Sequence, residues 1–581
     1  MSDSKQLAAA PIRAAILALD PTQTLSVDEV AALLAAPPKP ELGDFAFPCF
    51  LLARALKQAP PAIAAKLAEQ LAADPDSGFA AVSALGPYIN LKLDPAARTA
   101  RVVSAALQGD WGTLPDGTGK TVGIDYSSPH IAKPFGIGHL RSTAIGQALA
   151  NLHRTLGYRV VAINHLGDWG TQFGKLMAAF ERWGDESALQ ADPIQHLYDL
   201  YVRFHEEAKA NPALDDEGRG WFRRLEQGDP AAHAYWERFR ALSLREFHRI
   251  YERLGVSFDH EWGEAFYNNM LAALVDDVKA TGLTEESEGA LVVKLDDLGL
   301  PPCLIIKSDG ATLYSTRDLA AARYRYEQLG FEKFLYVVGH AQAVHFKQVF
   351  AVLQRMGYDW ADRCIHVPFG MILGISTRKG TLVFLEDILN RGKELVREIM
   401  ADREGFTDAE REQVSEQVSI GAIVFYDLSR GRIKDYPFEW DSILRGLRPG
   451  EHGPTGPYLQ YTHVRLRALE EKFAEKFGAL PEALANEATE ALHTADCAHL
   501  VALLERYPAT LRQAASELEP AVISRFLLEL AEGFNTFYSS GTRVLSDDEA
   551  ATRARIALVV AVRRTLAHGL TLLGVPCPAR M

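Results

Sequence analysis

Cysteine is scarce in this chain. There are five in 581 residues (Cys49, Cys303, Cys364, Cys497 and Cys577), and no two form a CxxC pair. That scatter argues against structural zinc and disulfides and fits a reducing, cytoplasmic compartment. There is also no apolar run of the roughly 18 residues that a membrane span needs. The start, MSDSKQLAAAPIRAAI, has no basic head leading into an apolar core, so no secretory leader is expected. Positive charge is in deficit: 61 Lys and Arg against 75 Asp and Glu give a formal net charge of −14. Such a chain is poorly suited to coating nucleic acid non-specifically, although local basic patches can still meet an RNA partner. Neither Phe204-His-Glu-Glu-Ala-Lys209 nor His260-Glu261 is followed by the second histidine of a zinc-protease helix. His340 and His345 have no carboxylate near them in the sequence, so no metal site is expected. No repeat or low-complexity tract interrupts the chain, and its 48 % apolar content suffices for roughly three to four domains.

Against these absences stands one dense stretch, DYSSPHIAKPFGIGHLRSTAIG, residues 125–146. Residues 121–126 alternate apolar positions like a short strand. Residues 127–138 form a turn, stiffened by Pro129 and Pro134 and loosened by Gly136 and Gly138. Residues 140–156 carry helical spacing that Gly157 stops, and residues 158–163 read as a second, buried strand. Such a strand–turn–helix–strand unit binds nucleotides at the carboxyl end of its first strand, where a helix N-terminus offers unpaired N–H groups to an anion. The stretch is neither a GxxxxGK[ST] loop nor a GxGxxG turn. Alone, Gly136-Ile-Gly-His139 reads either as a tight capped turn or as an anion site in which Gly138 admits an adenine face and His139 donates to phosphate. The longer string resembles the HIGH region of class I aminoacyl-tRNA synthetases, and its SSP, IAKP and GHLRST pieces are similar to the arginyl type in particular.

Residues 1–115 read as a separate α+β module, with alanine-rich helices at 11–19, 27–34 and 61–73. Residues 86–93 alternate there like an edge strand. After the central unit comes Asn164-His-Leu-Gly-Asp-Trp-Gly-Thr-Gln-Phe-Gly174, which is either a second site loop or a cap, with Asp168 starting a helix over 169–180. Residues 182 to about 290 are polar and helical and read as an insertion. The second half of the nucleotide fold is expected to resume with a strand at 304–306, a helix opening at Tyr314-Ser-Thr-Arg-Asp318, and strands at 333–338 and 364–369. Asp318 either caps or pairs with Arg317 or Arg323, or accepts a planar guanidinium fork from a ligand. Gly370-Met-Ile-Leu-Gly-Ile-Ser-Thr-Arg-Lys-Gly380 is either a solvated loop or one suited to closing over a triphosphate. Residues 453–581 form an all-helical tail, and 391–452 a helical connection to it.

The resemblance runs through nearly the whole chain in order. YSTRD, GDWGTQFG, the STRKG form of the KMSKS loop, TGPYLQY and the end LLGVPCPARM are all similar to arginyl-tRNA synthetases. It implies a Rossmann-like α/β catalytic domain with a parallel sheet (116–390), an N-terminal α+β appended domain and a C-terminal all-α anticodon-binding domain. It implies ATP, carried with Mg²⁺, L-arginine and tRNA(Arg) as substrates of a cytoplasmic monomer, with no membrane or DNA partner. His139, Lys133, Ser376 and Lys379 are then the catalytic, phosphate-facing groups. Gly136, Gly138, Gly370, Met371 and Arg378 complete the ATP site. Asp125, Ser127, His130, Tyr314, Asp318 and Gln342 hold arginine. Tyr88 and Asn90 touch the outer corner of the tRNA, and Tyr458, Gln460, Tyr461 and Arg465 its anticodon end.

Two departures stand out. Gly136 replaces the first histidine of HIGH and the 370–380 loop holds no true KMSK tetrad, for which Lys133 is expected to compensate, and in addition His130 stands where the family usually has an asparagine. The alternatives are a class I synthetase for another amino acid, a nucleotidyltransferase on the same fold, and a catalytically impaired tRNA-binding paralogue.

Overall fold

The computed structural model describes residues 4–74, 77–131, 133, 135–374, 383–448 and 453–581. A four-stranded parallel sheet lies at the centre. Its spatial order is Cys364–Phe369, Lys333–Gly339, Thr121–Asp125, Arg159–Ile163. Chain order therefore reverses at the strand Thr121–Asp125, and the crevice of such a sheet opens at the carboxyl ends beside that reversal. Successive side chains separate into two cores. Val122, Ile124, Ala162, Leu335, Val337 and Val367 face one layer, whereas Val161, Ile163, Phe334, Tyr336 and Cys364 face the other. The helix Gly138–Thr155 covers the first face, and Tyr314–Leu329 with Ala343–Arg355 covers the second. At Gly123 a Cβ would fall 2.3 Å from the Phe334 ring, so only glycine lets the two strands carry that phenylalanine between them.

The remaining parts hang on this sheet. The N-terminal unit has its own core, from Ala8 to Leu93, around an antiparallel sheet. Tyr88–Leu93 is the central strand of that sheet, between Phe45–Pro48 and Phe79–Leu85, and not the edge strand its alternation suggests. Ile89, Asn90 and Leu91 are buried in succession for that reason. The next helix, Pro95–Ala106, packs into the main core through Val102, Val103 and Ala106, and Arg98 pairs with Glu505 of the C-terminal helices at 2.5 Å. The insertion contains the helices Pro193–Ala210, Ala213–Glu226 and Pro230–Leu254, and ends in a second antiparallel sheet (Thr284–Ser287, Ala290–Leu295, Leu300–Ile306). The strand at 304–306 therefore belongs to this small sheet and not to the parallel one. Pro301 and Pro302 lack N–H groups, which confines such a strand to an edge. No helix among the described residues is long and apolar enough to cross a membrane.

The helix Asp408–Leu428, buried along its C-terminal half, joins the sheet to the C-terminal helices. Near its middle it crosses Gly456–Phe477 so closely that a Cβ on Gly456 would lie 2.6 Å from the Gly421 carbonyl oxygen. Gln460 staples the crossing, its amide donating to the carbonyls of Gln417 (3.1 Å) and Pro576 (2.8 Å). Gln460 is thus fully buried, and the anticodon contact expected of it is replaced by this internal role. At the helix end Asp427 meets Arg141 of Gly138–Thr155 at 2.8 Å, both side chains essentially inaccessible. Burial raises the Asp427 pKa, and the Arg141 guanidinium opposes that rise. The Tyr436 phenol donates to the same carboxylate at 2.8 Å, and Arg141 Nη1 donates to the Lys434 carbonyl at 2.8 Å.

Removing one partner of a buried pair strands the other charge. Asp427→Asn is expected to cost about 3–5 kcal/mol of stability, measured by denaturant unfolding of the full chain. The double variant Arg141→Met, Asp427→Leu should recover most of that loss.

Candidate active site

The first strand ends in Asp125-Tyr-Ser-Ser128, and the helix that follows fixes this turn. The Ser127 N–H donates to Ser142 Oγ at 2.9 Å, and Ser142 Oγ donates to the Val337 carbonyl at 2.7 Å. The Ser127 hydroxyl accepts from Thr143 Oγ1 at 2.8 Å and shares a 2.7 Å bond with the Tyr251 phenol. Ser127 and Ser128 both have left-handed backbone, φ 71° and 48°, a strain that persists only where surrounding bonds over-determine it. Asp125 accepts from Ser128 Oγ at 3.1 Å and pairs with Arg325 at 2.9 Å. Arg325 is completely buried, with Phe334 and Tyr336 under its guanidinium at 5.0 and 5.6 Å. Asp125 and Ser127 are therefore framework beneath the rim, with polar atoms already engaged.

The rim is built from loops that zip together. Ile131 N–H donates to the Gly167 carbonyl and Gly167 N–H to that of Pro129, each at 3.1 Å. A Cβ on Gly167 would lie 2.0 Å from His130 Nδ1, so this glycine makes room for the imidazole. Asp168, read from sequence either as part of a second site loop or as a helix cap, does not cap a helix and is buried. It accepts from the Ala265 N–H at 2.8 Å and from Arg240 Nε at 3.1 Å, and the helix starts later, at Thr171. At the mouth of Gly138–Thr155, a Cβ on Gly138 would meet no atom of the described residues within 4 Å. That open space lies beside the first turn of the helix, whose N–H groups await an anion. His139 stacks on Phe135 at 5.2 Å, and its Nδ1 lies 3.2 Å from the Gly136 carbonyl. Burial lowers the His139 pKa, and the nearby Lys133 charge adds to the effect. The Lys133 ammonium rests 5.5 Å from the Tyr201 ring centroid.

Across the rim, Gly370 donates its N–H to the Arg432 carbonyl at 2.9 Å. A Cβ there would come within 2.5 Å of the Ile433 carbonyl oxygen. Met371 donates its N–H to Asp435 Oδ1 at 2.6 Å and accepts from Tyr436, which leaves its thioether exposed. Ser376, Arg378 and Lys379 lie outside the described residues. Both flanks of that segment are anchored. Ile372–Leu373 pairs with Tyr436–Pro437, and beyond it Ile137 N–H donates to Val383 and Leu385 N–H to Phe135.

Beside this rim lies a cluster of acidic and imidazole side chains. Asp318 pairs with neither Arg317 nor Arg323 among the described residues, and Arg323 is bound to Asp277. Instead Asp318 Oδ2 accepts from His345 Nε2 at 2.5 Å, and His165 Nε2 is 3.9 Å from Oδ1. The expectation that His345 lacks a carboxylate is therefore overturned: its partner is 27 positions away in the chain, on the neighbouring helix. Tyr314 is 63 % exposed with its ring against His345, and Gln342 lies exposed at the end of the third strand. Sequence reasoning missed Glu264, a lone acid in the insertion with no motif around it. Its pKa is pushed up to about 7, mainly by burial, and Asp168 and Asp318 add to the rise against His165 and Arg317.

Three sequence families match the chain in order. They are described as arginyl tRNA synthetase N terminal domain (residues 6–93), tRNA synthetases class I (R), catalytic domain (102–440), and DALR anticodon binding domain (459–581). The chain belongs to the class I arginyl-tRNA synthetases. Among relatives named arginine--tRNA ligase, that of Halothermothrix orenii is 43 % identical over 564 residues, covering 96 % of this chain and 97 % of its own. That of Exiguobacterium sibiricum is 46 % identical over 563 residues with the same coverage. In fold the chain is similar to arginyl-tRNA synthetases from Plasmodium falciparum (TM-score 0.74, 21 % identity, all of both chains) and Thermus thermophilus (0.71, 23 %, 98 % and 99 %). The three-part α/β architecture expected from the sequence is borne out.

Two surfaces away from the rim hold the residues expected from the sequence to touch RNA. Tyr88 is exposed and packs edge-on against exposed Phe50 at 5.3 Å. Asn90 is buried, contrary to the expected surface amide, because Ala46 and Ser83 flank it on the neighbouring strands. Its amide nitrogen has no hydrogen-bond partner. In the C-terminal domain a cleft of about 820 Å³ is lined by Tyr458, Tyr461, Arg465 and Met581. Arg465 lies 5.0 Å from the Tyr461 ring and donates to Asn535 at 2.9 Å, and Asn535 donates to the Tyr458 phenol.

The two glycines of the nucleotide rim make opposite predictions. Gly138→Ala meets no atom of the described residues, so its melting temperature is expected to equal or exceed that of the parent, while its KM for ATP rises. Gly370→Ala collides with backbone and is expected to lower kcat for ATP–pyrophosphate exchange by about tenfold or more.

Proposed function

We propose that the rim at the carboxyl ends of the parallel strands is where this arginine–tRNA ligase joins arginine to ATP and passes it to tRNA(Arg). The observation that carries the assignment of the pocket is the pair of carboxylates, Asp318 and Glu264, beside the exposed Tyr314. A buried carboxylate is costly unless it meets a cation or strong donors. A guanidinium, with five N–H donors in a planar fork, satisfies both acids at once. Gln342 at the third strand's end and His130 on the opposite loop are placed to bound the amino-acid end. Asp125 and Ser127 hold the turn that carries His130.

The arginine carboxylate oxygen attacks the α-phosphorus of ATP in line. A phosphorus–oxygen bond forms, the bond to the β-phosphate bridge breaks, and pyrophosphate leaves. The terminal ribose hydroxyl of the tRNA then attacks the activated carbonyl carbon, and AMP leaves. Little of this calls for covalent help from the protein, so positioning and charge neutralisation do most of the work. The adenine occupies the space over Gly138 beside Gly370 and Met371. The phosphates lie at the helix mouth near Gly136 and His139. With Nδ1 directed at the Gly136 carbonyl, Nε2 is the ring nitrogen left for a phosphate, to which it donates when the ring carries a second proton. Lys133 reaches the phosphates by leaving Tyr201, and Ser376, Arg378 and Lys379 are assigned to the same role. Magnesium enters with ATP as part of the substrate. Among the described residues no group of three or more His, Cys, Asp or Glu side chains is placed to hold it.

The tRNA is met at three places. Tyr88 offers a stacking face to an unpaired base at the outer corner. Tyr458, Tyr461 and Arg465 line the cleft for the anticodon bases. The acceptor end reaches the rim. The chain acts as a cytoplasmic monomer.

Aminoacylation with each standard amino acid and total tRNA tests this reading. Arginine alone should be charged, and Asp318→Ala should lose that activity by about a hundredfold or more. Charging of another amino acid, or full activity in Asp318→Ala, would refute the pocket. A pH series tests Glu264. Ionised Glu264 attracts the guanidinium, so KM for arginine should fall as pH rises through about 7. That dependence should flatten in Glu264→Gln.

A further inference from the structure

His345 touches two of the side chains read here as bordering the arginine side chain, Asp318 and Tyr314. Its Nε2 is 2.5 Å from Asp318 Oδ2, and its ring centroid is 4.9 Å from that of Tyr314. The imidazole is only 11 % exposed and sits in the first turn of Ala343–Arg355, directly after Gln342. That helix is rigidly seated. Phe346 stacks on His366 at 4.8 Å and packs against Tyr336 at 5.1 Å, with Val349 buried beside it. On the other side of Asp318, His165 Nε2 stands 3.9 Å from Oδ1, and its Nδ1 is directed at the Trp262 carbonyl at 2.9 Å.

We propose that His345 is a positioning residue that selects a guanidinium over an ammonium by fixing the plane of the Asp318 carboxylate. The terminal torsion of an aspartate is broad and soft, so an unsupported carboxylate rotates freely. A donated Nε2–H occupies one of about four lone-pair directions and holds the group at one angle. A guanidinium forms two parallel N–H···O bonds only when its plane and the carboxylate plane agree. A lysine ammonium, a compact point charge with rotating donors, has no such requirement. Loss of the His345 bond should therefore weaken arginine far more than lysine. The inference rests on Asp318 being the guanidinium carboxylate.

The test is ATP–pyrophosphate exchange by the full chain with tRNA present, comparing His345→Ala, the bulkier His345→Leu, and His345→Gln. Loss of a hydrogen bond to a charged group predicts a ten- to hundredfold rise in KM for arginine in the Ala and Leu variants. KM for ATP should stay within about twofold, and the preference for arginine over lysine in kcat/KM should narrow by a similar factor. The glutamine amide can donate to the same oxygen, so His345→Gln should stay within about threefold of the parent. The proposal is overturned if His345→Ala and His345→Leu keep the parent's KM for arginine. It is also overturned if all three variants lose arginine and ATP binding alike, since that marks a merely structural histidine. A normal KM for arginine in Asp318→Ala would sink the pocket reading and this proposal together, whereas an Asp318-dependent enzyme indifferent to position 345 sinks the proposal alone.

Discussion

The site depends on one buried ion pair. Arg141 and Asp427 meet at 2.8 Å where the helix behind the nucleotide turn touches the helix that leads to the C-terminal domain. A buried pair of this kind adds little net stability against an apolar substitute of the same shape, because desolvating both charges offsets most of their attraction. Its contribution here is geometric. The same guanidinium holds the Lys434 carbonyl, and the same carboxylate holds the Tyr436 phenol. Residues 432–436 in turn accept from Gly370 N–H, accept from Met371 N–H and pair with Ile372–Leu373. Two elements that enclose the nucleotide-shaped space, from opposite sides of the sheet's switch point, are thus set at a fixed distance by a single charge contact.

The acidic groups at the strand ends show how differently one residue type can be used. Asp125 is neutralised in advance by Arg325, at 2.9 Å and completely buried, and so serves the turn above it. Asp318 meets only imidazoles, at 2.5 and 3.9 Å, and Glu264 accepts from no donor strong enough to keep its pKa from rising to about 7. A pocket whose carboxylates form no ion pair with arginine or lysine among the described residues, Arg317 acting on Glu264 only from a distance, is an electrostatic debt that a cationic ligand can settle. The spacing between compensated and uncompensated acids distinguishes scaffold from site more clearly than burial does, since Asp125 and Asp168 are both more buried than Asp318.

Much of the framework was legible because period and punctuation carry it. Alternation in 121–126, the continuous apolar run at 333–338, the glycines of the first turn and the 3.6-residue spacing after Gly138 are local signals, and each of these elements formed within a residue or two of its expected bounds. What escaped the sequence was pairing over distance. Residues 300–306 form an apolar run indistinguishable by hydrophobicity from a parallel strand, and only Pro301 and Pro302 hinted at an edge. Residues 86–93 alternate, yet two neighbours bury Asn90. Gln460 looked like a surface amide in a helix start, but a glycine-to-glycine crossing draws it inside. His345 and Glu264 carry no motif, and their meaning comes entirely from Asp318, which lies 27 residues before one and 54 after the other in the chain.

The glycine crossing also constrains how the two ends of the molecule relate. At Gly456 the helix backbone comes against the Gly421 carbonyl, and the Gln460 side chain packs on Gly421 beside it. Packed interfaces of this kind move as units and do not deform continuously. From that crossing the helix Asp408–Leu428 runs straight to Asp427, and Gln460, which staples it, also holds the carbonyl of Pro576 near the C-terminus. The cleft lined by Tyr458, Tyr461 and Met581 and the rim around Gly138 and Gly370 are therefore connected by one stiff element with a polar clasp at each end. A shift of Gly456–Phe477 has to be accommodated either by breaking the Gln460 clasp or by moving Asp427, and moving Asp427 moves Arg141.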